Sequence, residues 1–186
     1  ADLLLNGLLH YLEVTFPAKK TGTVNNLIEE LLRETRARLK GKEVRIFKKL
    51  QKDLPEIVVP EKALRYILSS TLQYVVTSIP SLKTLVFLTH SYLVYKKGQG
   101  QPLLGKPGGS VKIVLFSAGY KESTEAGKNG LENGTFRREE GVNLLLTLVK
   151  EVVYRYRGVM KMKVGEKGAK ITVVLEFPVE RRSTVS

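Results

Sequence analysis

The 186-residue chain has 42% apolar side chains, a proportion that suits one globular domain of ordinary size. It contains no cysteine and two histidines, His10 and His90, which excludes a disulfide framework, a thiolate zinc site and a multi-histidine metal centre. It has neither an apolar run of membrane-spanning length nor a secretory leader pattern. We therefore expect a soluble, cytoplasmic protein without a metal centre.

The chain is strongly basic, because 31 Lys and Arg stand against 18 Asp and Glu, a formal net charge of +13. Such a charge attracts nucleic acid, acidic proteins or anionic membrane surfaces. The basic residues are spread along the chain, and no zinc finger, aromatic RNA-binding signature or compact helix-turn-helix accompanies them. We expect most of this charge to lie on solvated surface and no specific nucleic-acid site. A binder of nucleic acid or anionic surfaces driven by charge alone stays an alternative.

The first predicted element is an amphipathic helix that ends near Phe16–Pro17. Its apolar stripe consists of Leu3, Leu4, Leu5, Leu8, Leu9 and Leu12. A stripe of this width needs a partner helix, and it is already running at the first residue. We expect residues 1–16 to be the end of a longer helix that follows upstream domains, and residues 17–186 to form one domain.

Two helices and a strand are predicted next. The first helix runs from a cap at Asn25 or Asn26 to about Lys40, and Glu43–Leu50 follows it as a strand. Pro60 then precedes a second helix, which ends at Pro80. The buried face of that helix consists of Leu64, Ile67, Leu68, Leu72, Val75 and Val76.

The middle of the chain predicts two strands with long connections. Leu85–Tyr95 and Val111–Phe116 are rich in Val, Phe, Leu and Tyr, which favours strands. Residues 96–110 are rich in Gly and Pro, and residues 119–140 are polar with four glycines. We expect both connections to be mobile loops.

The last part of the chain predicts a helix and a hairpin. The helix runs from about Val142 to Arg157, and Gly158 follows it. Val159–Val164 and Ala169–Phe177 then form two strands joined by a glycine turn. This order of elements predicts a two-layer α/β sandwich of the α+β kind, in which helices pack on one face of a mixed, mostly antiparallel sheet.

Three motifs, in this order, resemble the catalytic domain of sensor histidine kinases and the wider GHKL family of ATPases. Leu68–Val75 is similar in spacing to the family's L-x-N-L-L-x-N-A helix, with Ser70 and Tyr74 at its two asparagines. Ser117–Lys121 is similar to D-x-G-x-G, with Ser117 at the aspartate and Gly119 at a retained glycine. Gly141–Lys150 is similar to G-T-G-L-G-L-A-I-V-K, with Asn143 and Leu145 at its second and third glycines.

The resemblance covers nearly the whole chain. It implies that residues 1–16 are the end of a dimerisation-hairpin helix and that a nucleotide pocket lies at six positions. These positions are Ser70, Tyr74, Ser117, Gly119, Gly141 and Asn143. In the family the second asparagine supplies a magnesium ligand and the aspartate holds adenine, and neither a phenol nor a serine reproduces these groups. We therefore expect a degenerate pocket with no catalytic residue, no metal and no cofactor.

The function that the resemblance implies is that of a pseudokinase in two-component signal transduction, which does not bind ATP and acts through protein contacts. The expected partners are a second copy of the chain through Leu3–Leu12, giving a dimer, an active histidine kinase, or the acidic pocket of a response-regulator receiver domain. Two alternatives stay open. One is a divergent but active kinase domain that uses ATP and Mg²⁺, and the other is a phosphotransfer protein with a nucleotide-free kinase-like domain.

Overall fold

The computed structural model describes residues 24–40, 43–79, 81–94, 108–119, 132–165 and 169–179, and for residues 93, 94, 108 and 132–143 it describes the backbone alone. The predicted helix end within residues 1–16 lies outside this range. The described elements are α1 (Val24–Arg38), β1 (Arg45–Leu50), α2 (Glu61–Ser78), β2 (Leu82–Val94), β3 (Gly108–Gly119), α3 (Glu132–Arg155), β4 (Val159–Val164) and β5 (Lys170–Pro178). None of the described helices is both long enough and apolar enough to cross a bilayer.

The five strands form one sheet in the order β1-β2-β3-β5-β4. β1 pairs with β2 in parallel, and the other three pairs are antiparallel. The parallel pair needs a crossover, and α2 supplies it between β1 and β2. The sheet is therefore mixed and mostly antiparallel, as predicted.

The sheet buries one face under the helices. In β5 the buried side chains alternate with partly exposed ones, which is the two-residue period of a strand with one covered face. The buried positions of β3 and β5 are Val111, Ile113, Leu115, Ser117, Ile171, Val173, Leu175 and Phe177. They form one core with the apolar stripes of α1, α2 and α3. The two-layer architecture is confirmed.

The predicted cap of the first helix is wrong. The helix already begins at Val24, so both Asn25 and Asn26 lie inside its first turn. The Asn25 amide nitrogen donates to the carbonyl oxygen of Gln51 at 2.7 Å, and its side-chain oxygen accepts from the Thr89 hydroxyl at 3.0 Å. These tertiary partners outcompete the local capping bond and join α1 to β1 and β2.

The two predicted loops are shorter than the sequence indicated. β2 and β3 pair from Leu82 opposite Gly119 to Val94 opposite Gly108, so residues 108–110 belong to a strand. α3 begins at Glu132, so residues 132–140 have helical backbone. Helical propensity alone does not favour such a start, because Gly134 lies in it. The remaining loop residues lie outside the described range.

A Schellman motif ends α3. The amide of Gly158 donates to the carbonyl of Val153, and the amide of Arg157 donates to that of Tyr154, both at 2.9 Å. Arg157 takes the left-handed conformation of the motif, with φ 56°. Gly158 is required by space, because a Cβ there would lie 2.7 Å from the Phe177 ring.

Candidate functional site

The structure places the matched positions on three elements. Ser70 and Tyr74 lie one turn apart on α2. Ser117 and Gly119 are within the last three residues of β3. Gly141 and Asn143 lie in the helical backbone of α3, and the side chain of Asn143 is outside the described range. α2 and α3 pack against each other over the sheet, so the elements are neighbours as the resemblance implies. We call this the Ser117 end of the sheet.

Ser117 is a core residue in this fold. Its side chain is 0% exposed, because the position faces the helices in the alternation of β3. Its hydroxyl donates to the carbonyl of Ile171 on the neighbouring strand at 3.2 Å. The family's aspartate accepts a hydrogen bond from adenine. The hydroxyl of Ser117 is instead committed to the sheet and has no solvent contact.

The retained glycine, Gly119, has a packing role. A Cβ at this position would collide with the carbonyl of Ser81 and would lie 2.6 Å from Cγ2 of Ile79. Its amide donates to the carbonyl of Ala169 at 2.9 Å. The connection from α2 to β2 therefore needs a glycine here, whether or not a ligand approaches.

Ser70 and Tyr74 are also buried. Tyr74 belongs to the apolar core cluster, where a phenol ring packs well but supplies no amide oxygen. Within the described part of the chain, no group of three or more His, Cys, Asp or Glu side chains could hold a metal ion. The matched position on α2 thus holds a phenol in place of the family's asparagine.

The backbone of α3 differs from a phosphate cradle at the matched glycines. A helix has free N–H groups only in its first turn, and these are the groups that hold phosphate. Because α3 begins at Glu132, the amides of residues 141–145 lie in its interior, where the helical hydrogen bonds use them. Leu145 is 3% exposed, so a core side chain occupies the position of the third glycine. At these matched positions the backbone and side chains that the structure describes differ from the family's nucleotide motif.

Sequence reasoning missed a charged cluster on the outward face of the sheet. The Tyr92 hydroxyl donates to Glu176 at 2.9 Å, and the Lys112 ammonium lies 3.4 Å from the other carboxylate oxygen of Glu176. Burial and this hydrogen bond raise the pKa of Tyr92. Burial alone would raise the pKa of Glu176, but Tyr92 and Lys112 outweigh it, and the pKa of Glu176 is lowered. The sequence gives no sign of this cluster, because Lys112 and Glu176 are brought opposite each other only by the register of β3 and β5.

Comparison with known proteins links this fold to histidine kinases. No protein-family model and no curated protein matches the sequence. Among solved structures, full-length ShkA in complex with AMPPNP superposes with a TM-score of 0.62 at 17% identity, over 96% of this chain and 36% of that one. The Acinetobacter baumannii histidine kinase AdeS gives 0.57 at 11% identity, over 96% and 76% of the two chains.

The catalytic domain of the histidine kinase ThkA, in a nucleotide-free form, gives a TM-score of 0.55 at 10% identity. The superposition covers 89% of this chain and 100% of the ThkA domain. The chain spans only 36% of ShkA, so it corresponds to one part of that protein. At such low identities the likeness establishes architecture. This chain has the fold of a histidine kinase catalytic domain.

Proposed function

We propose that this chain is a degenerate histidine kinase catalytic domain, a pseudokinase that does not bind ATP and that acts in two-component signalling through protein contacts. The observation that carries the proposal is the state of Ser117, which stands at the position of the adenine anchor and is fully buried with its hydroxyl bonded to Ile171. A hydroxyl that is fully buried and already hydrogen-bonded within the sheet is not available to bind adenine.

The magnitudes support loss of binding. A hydrogen bond to a charged group contributes roughly 1.5–3 kcal/mol, and micromolar affinity corresponds to about 8 kcal/mol. Ser117 on β3, Tyr74 on α2 and Leu145 on α3 alter three separate parts of the pocket. Their combined loss removes most of the free energy that a nucleotide would gain.

The outward face of the sheet supports a role in protein contacts. Phe47 on β1 is 53% exposed and Leu88 on β2 is 37% exposed. The register aligns Phe47 with Val86 and Phe116, so apolar side chains extend across three strands of this face. Basic residues flank them on both edge strands, namely Arg45, Lys49, Lys161 and Lys163. Apolar side chains between basic edges suit an acidic protein surface, such as a receiver domain.

Nucleotide titration tests the proposal. We expect no saturable increase in melting temperature with Mg-ATP or Mg-ADP up to about 1 mM, whereas a bound ligand at a hundred times its Kd would add about 2.7 kcal/mol to the free energy of unfolding. An active histidine kinase catalytic domain, measured in parallel, is the positive control. Saturable stabilisation at sub-millimolar nucleotide would overturn the proposal.

A divergent active kinase is the second candidate, because the fold superposes on a chain solved with AMPPNP. Its test is autophosphorylation with γ-labelled ATP in a longer protein that includes the upstream region. Incorporation that depends on this domain would favour the second candidate over the first.

A further inference from the structure

A cavity of about 590 Å³ lies at the other end of the sheet, beside Gly109, the second residue of β3, and Pro178, the last residue of β5. We call this the Gly109 end. The volume is in the range of sites that bind small molecules, roughly 300–1,000 Å³. Gly109 and Ser117 are eight residues apart on one strand, about 27 Å at the rise of a β-strand, so this cavity is separate from the matched nucleotide positions.

Backbone hydrogen bonds build the cavity. The amide of Val179 donates to the carbonyl of Gly109 at 2.9 Å, and the amide of Val58 donates to that of Pro178 at 3.4 Å. Ile57 forms a β-bridge with Val179. The segment before α2 is thereby fixed against the ends of β3 and β5, which makes this part of the wall a preformed one.

The lining combines apolar residues with two arginines. Its apolar part consists of Val58, Tyr156, Pro178 and Val179, and its charged part consists of Arg155 and Arg157. Both arginines are exposed, and neither forms an ion pair with any residue that the structure describes. Two positively charged residues in the lining of one apolar cavity attract an anion that has an apolar part.

Arg157 occupies a position where glycine is the favoured residue. It is the left-handed residue of the Schellman motif, and among the described residues it is the only one other than glycine with positive φ. A side chain disfavours this conformation, and such residues cluster at binding and catalytic sites. Its use here places a positively charged residue in the cavity lining, where glycine would place none.

We propose that this cavity binds a carboxylate attached to an apolar group. Arg155 and Arg157 hold the carboxylate, and the apolar part of the lining contacts the rest of the ligand. Arginine favours carboxylate because its planar fork of N–H groups matches the two oxygens. The carbonyl oxygens at the C-terminal end of a helix carry partial negative charge and repel an anion. Here the carbonyls of Val153 and Tyr154 already accept hydrogen bonds from Gly158 and Arg157, which reduces this repulsion.

The test uses two matched probes, 3-phenylpropanoate and its neutral amide, 3-phenylpropanamide. Each is titrated to about 10 mM into the ¹⁵N-labelled full chain, and amide shifts are followed by NMR. We expect saturable shifts at Gly109, Arg157 and Val179 with the acid, and at least fivefold weaker binding of the amide. Equal binding of the acid and the amide would contradict the proposal.

Variants separate a ligand-binding role from a structural one. Arg157→Gly removes the guanidinium and relieves the left-handed side chain, so we expect at least fivefold weaker binding of the acid together with a higher melting temperature. Arg155→Gln is expected to weaken binding to a similar extent. Arg33→Gln, on the exposed face of α1, is the control for general charge and should leave binding within twofold. Unchanged binding by Arg157→Gly would sink the proposal.

A third arm distinguishes the two sources of such a carboxylate. An end-blocked peptide that contains Phe-Glu is titrated beside 3-phenylpropanoate. Tighter binding of the peptide, with the same dependence on Arg157, assigns the cavity to an acidic segment of a partner protein. Binding of the free acid alone assigns it to a small molecule. Binding of neither ligand overturns the proposal. The outcome is independent of the nucleotide titration, because the two sites lie at opposite ends of β3.

Discussion

The two ends of the sheet differ in how they use their polar groups. At the Ser117 end the side chains of Ser70, Tyr74 and Ser117 are buried, and the hydroxyl of Ser117 is bonded within the sheet. At the Gly109 end Arg155 and Arg157 are exposed beside a cavity and make no ion pair with any described residue. The same apolar core joins both ends. The comparison teaches that apolar periodicity fixes the architecture, whereas the placement of a few polar groups decides where a ligand can enter.

The largest expected effect contrasts two glycines on β3. Gly119→Ala places a Cβ against the carbonyl of Ser81, and this carbonyl is part of the backbone and cannot rotate away as a side-chain end can, so we expect a loss of about 4 kcal/mol in the free energy of unfolding. Gly109→Ala at the opposite end meets only the Val179 side chain, at 3.1 Å, and should cost less than about 1 kcal/mol. Urea denaturation of both variants measures the contrast. Equal losses would show that the Ser117 end is not the more tightly packed one.

The second largest effect is expected at Leu145, which stands at the family's third glycine. It tests whether this position is part of the core. Leu145 is 3% exposed and its neighbour Leu144 is 41% exposed. We expect Leu145→Ala to lower the free energy of unfolding by about 3 kcal/mol and Leu144→Ala by less than about 0.5 kcal/mol. Chemical denaturation of the pair compares a buried and an exposed leucine on one helix. A small loss for Leu145→Ala would indicate that the space is open and available to a ligand.

The smallest effect concerns the charged cluster at Glu176 on the outward face. Because its folded pKa is lowered, its contribution to stability is present above its ordinary pKa near 4.5 and is lost as the pH falls through the lowered value. Glu176→Gln should therefore destabilise the protein at pH 7, by less than about 1 kcal/mol, and the difference from the original chain should vanish toward pH 3.

Urea denaturation at several pH values measures this difference. Glu56→Gln is the matched control, because Glu56 is exposed and lies outside the cluster. A difference for Glu176→Gln that stays constant from pH 7 to pH 3 would contradict the assignment.

Much of the fold could be predicted from the sequence. The two-residue alternation of β5 and the apolar stripe of α2 specify a strand and a helix with one covered face each, and their order specifies the two layers. The start of α3 could not be predicted, because Gly134 interrupts the helical pattern there. The partners of Asn25 could not be predicted either, since Gln51 and Thr89 are distant in sequence.

The candidate sites could likewise be predicted from the sequence only in part. The spacing of Ser70, Tyr74 and Ser117 located them on α2 and β3, but their burial depends on packing across elements. The cavity at the Gly109 end had no signal in the sequence, because its walls come from four separate segments. Only Arg157 before Gly158 was visible as a local feature, and its left-handed conformation required the structure.

The strand order has a consequence for how the protein behaves at high concentration. Among the strands that the structure describes, β1 and β4 are the two edges of the sheet, and neither pairs with a described strand on its outer side, where another chain could add. Both edges carry basic residues on the outward face of the sheet, Arg45 and Lys49 on one and Lys161 and Lys163 on the other. Like charges on approaching edges repel, so these basic residues protect a sheet with exposed Val and Met at its margin from polymerisation. Because salt screens these charges, the repulsion weakens as ionic strength rises. At high protein concentration we therefore expect edge-to-edge association to increase with salt.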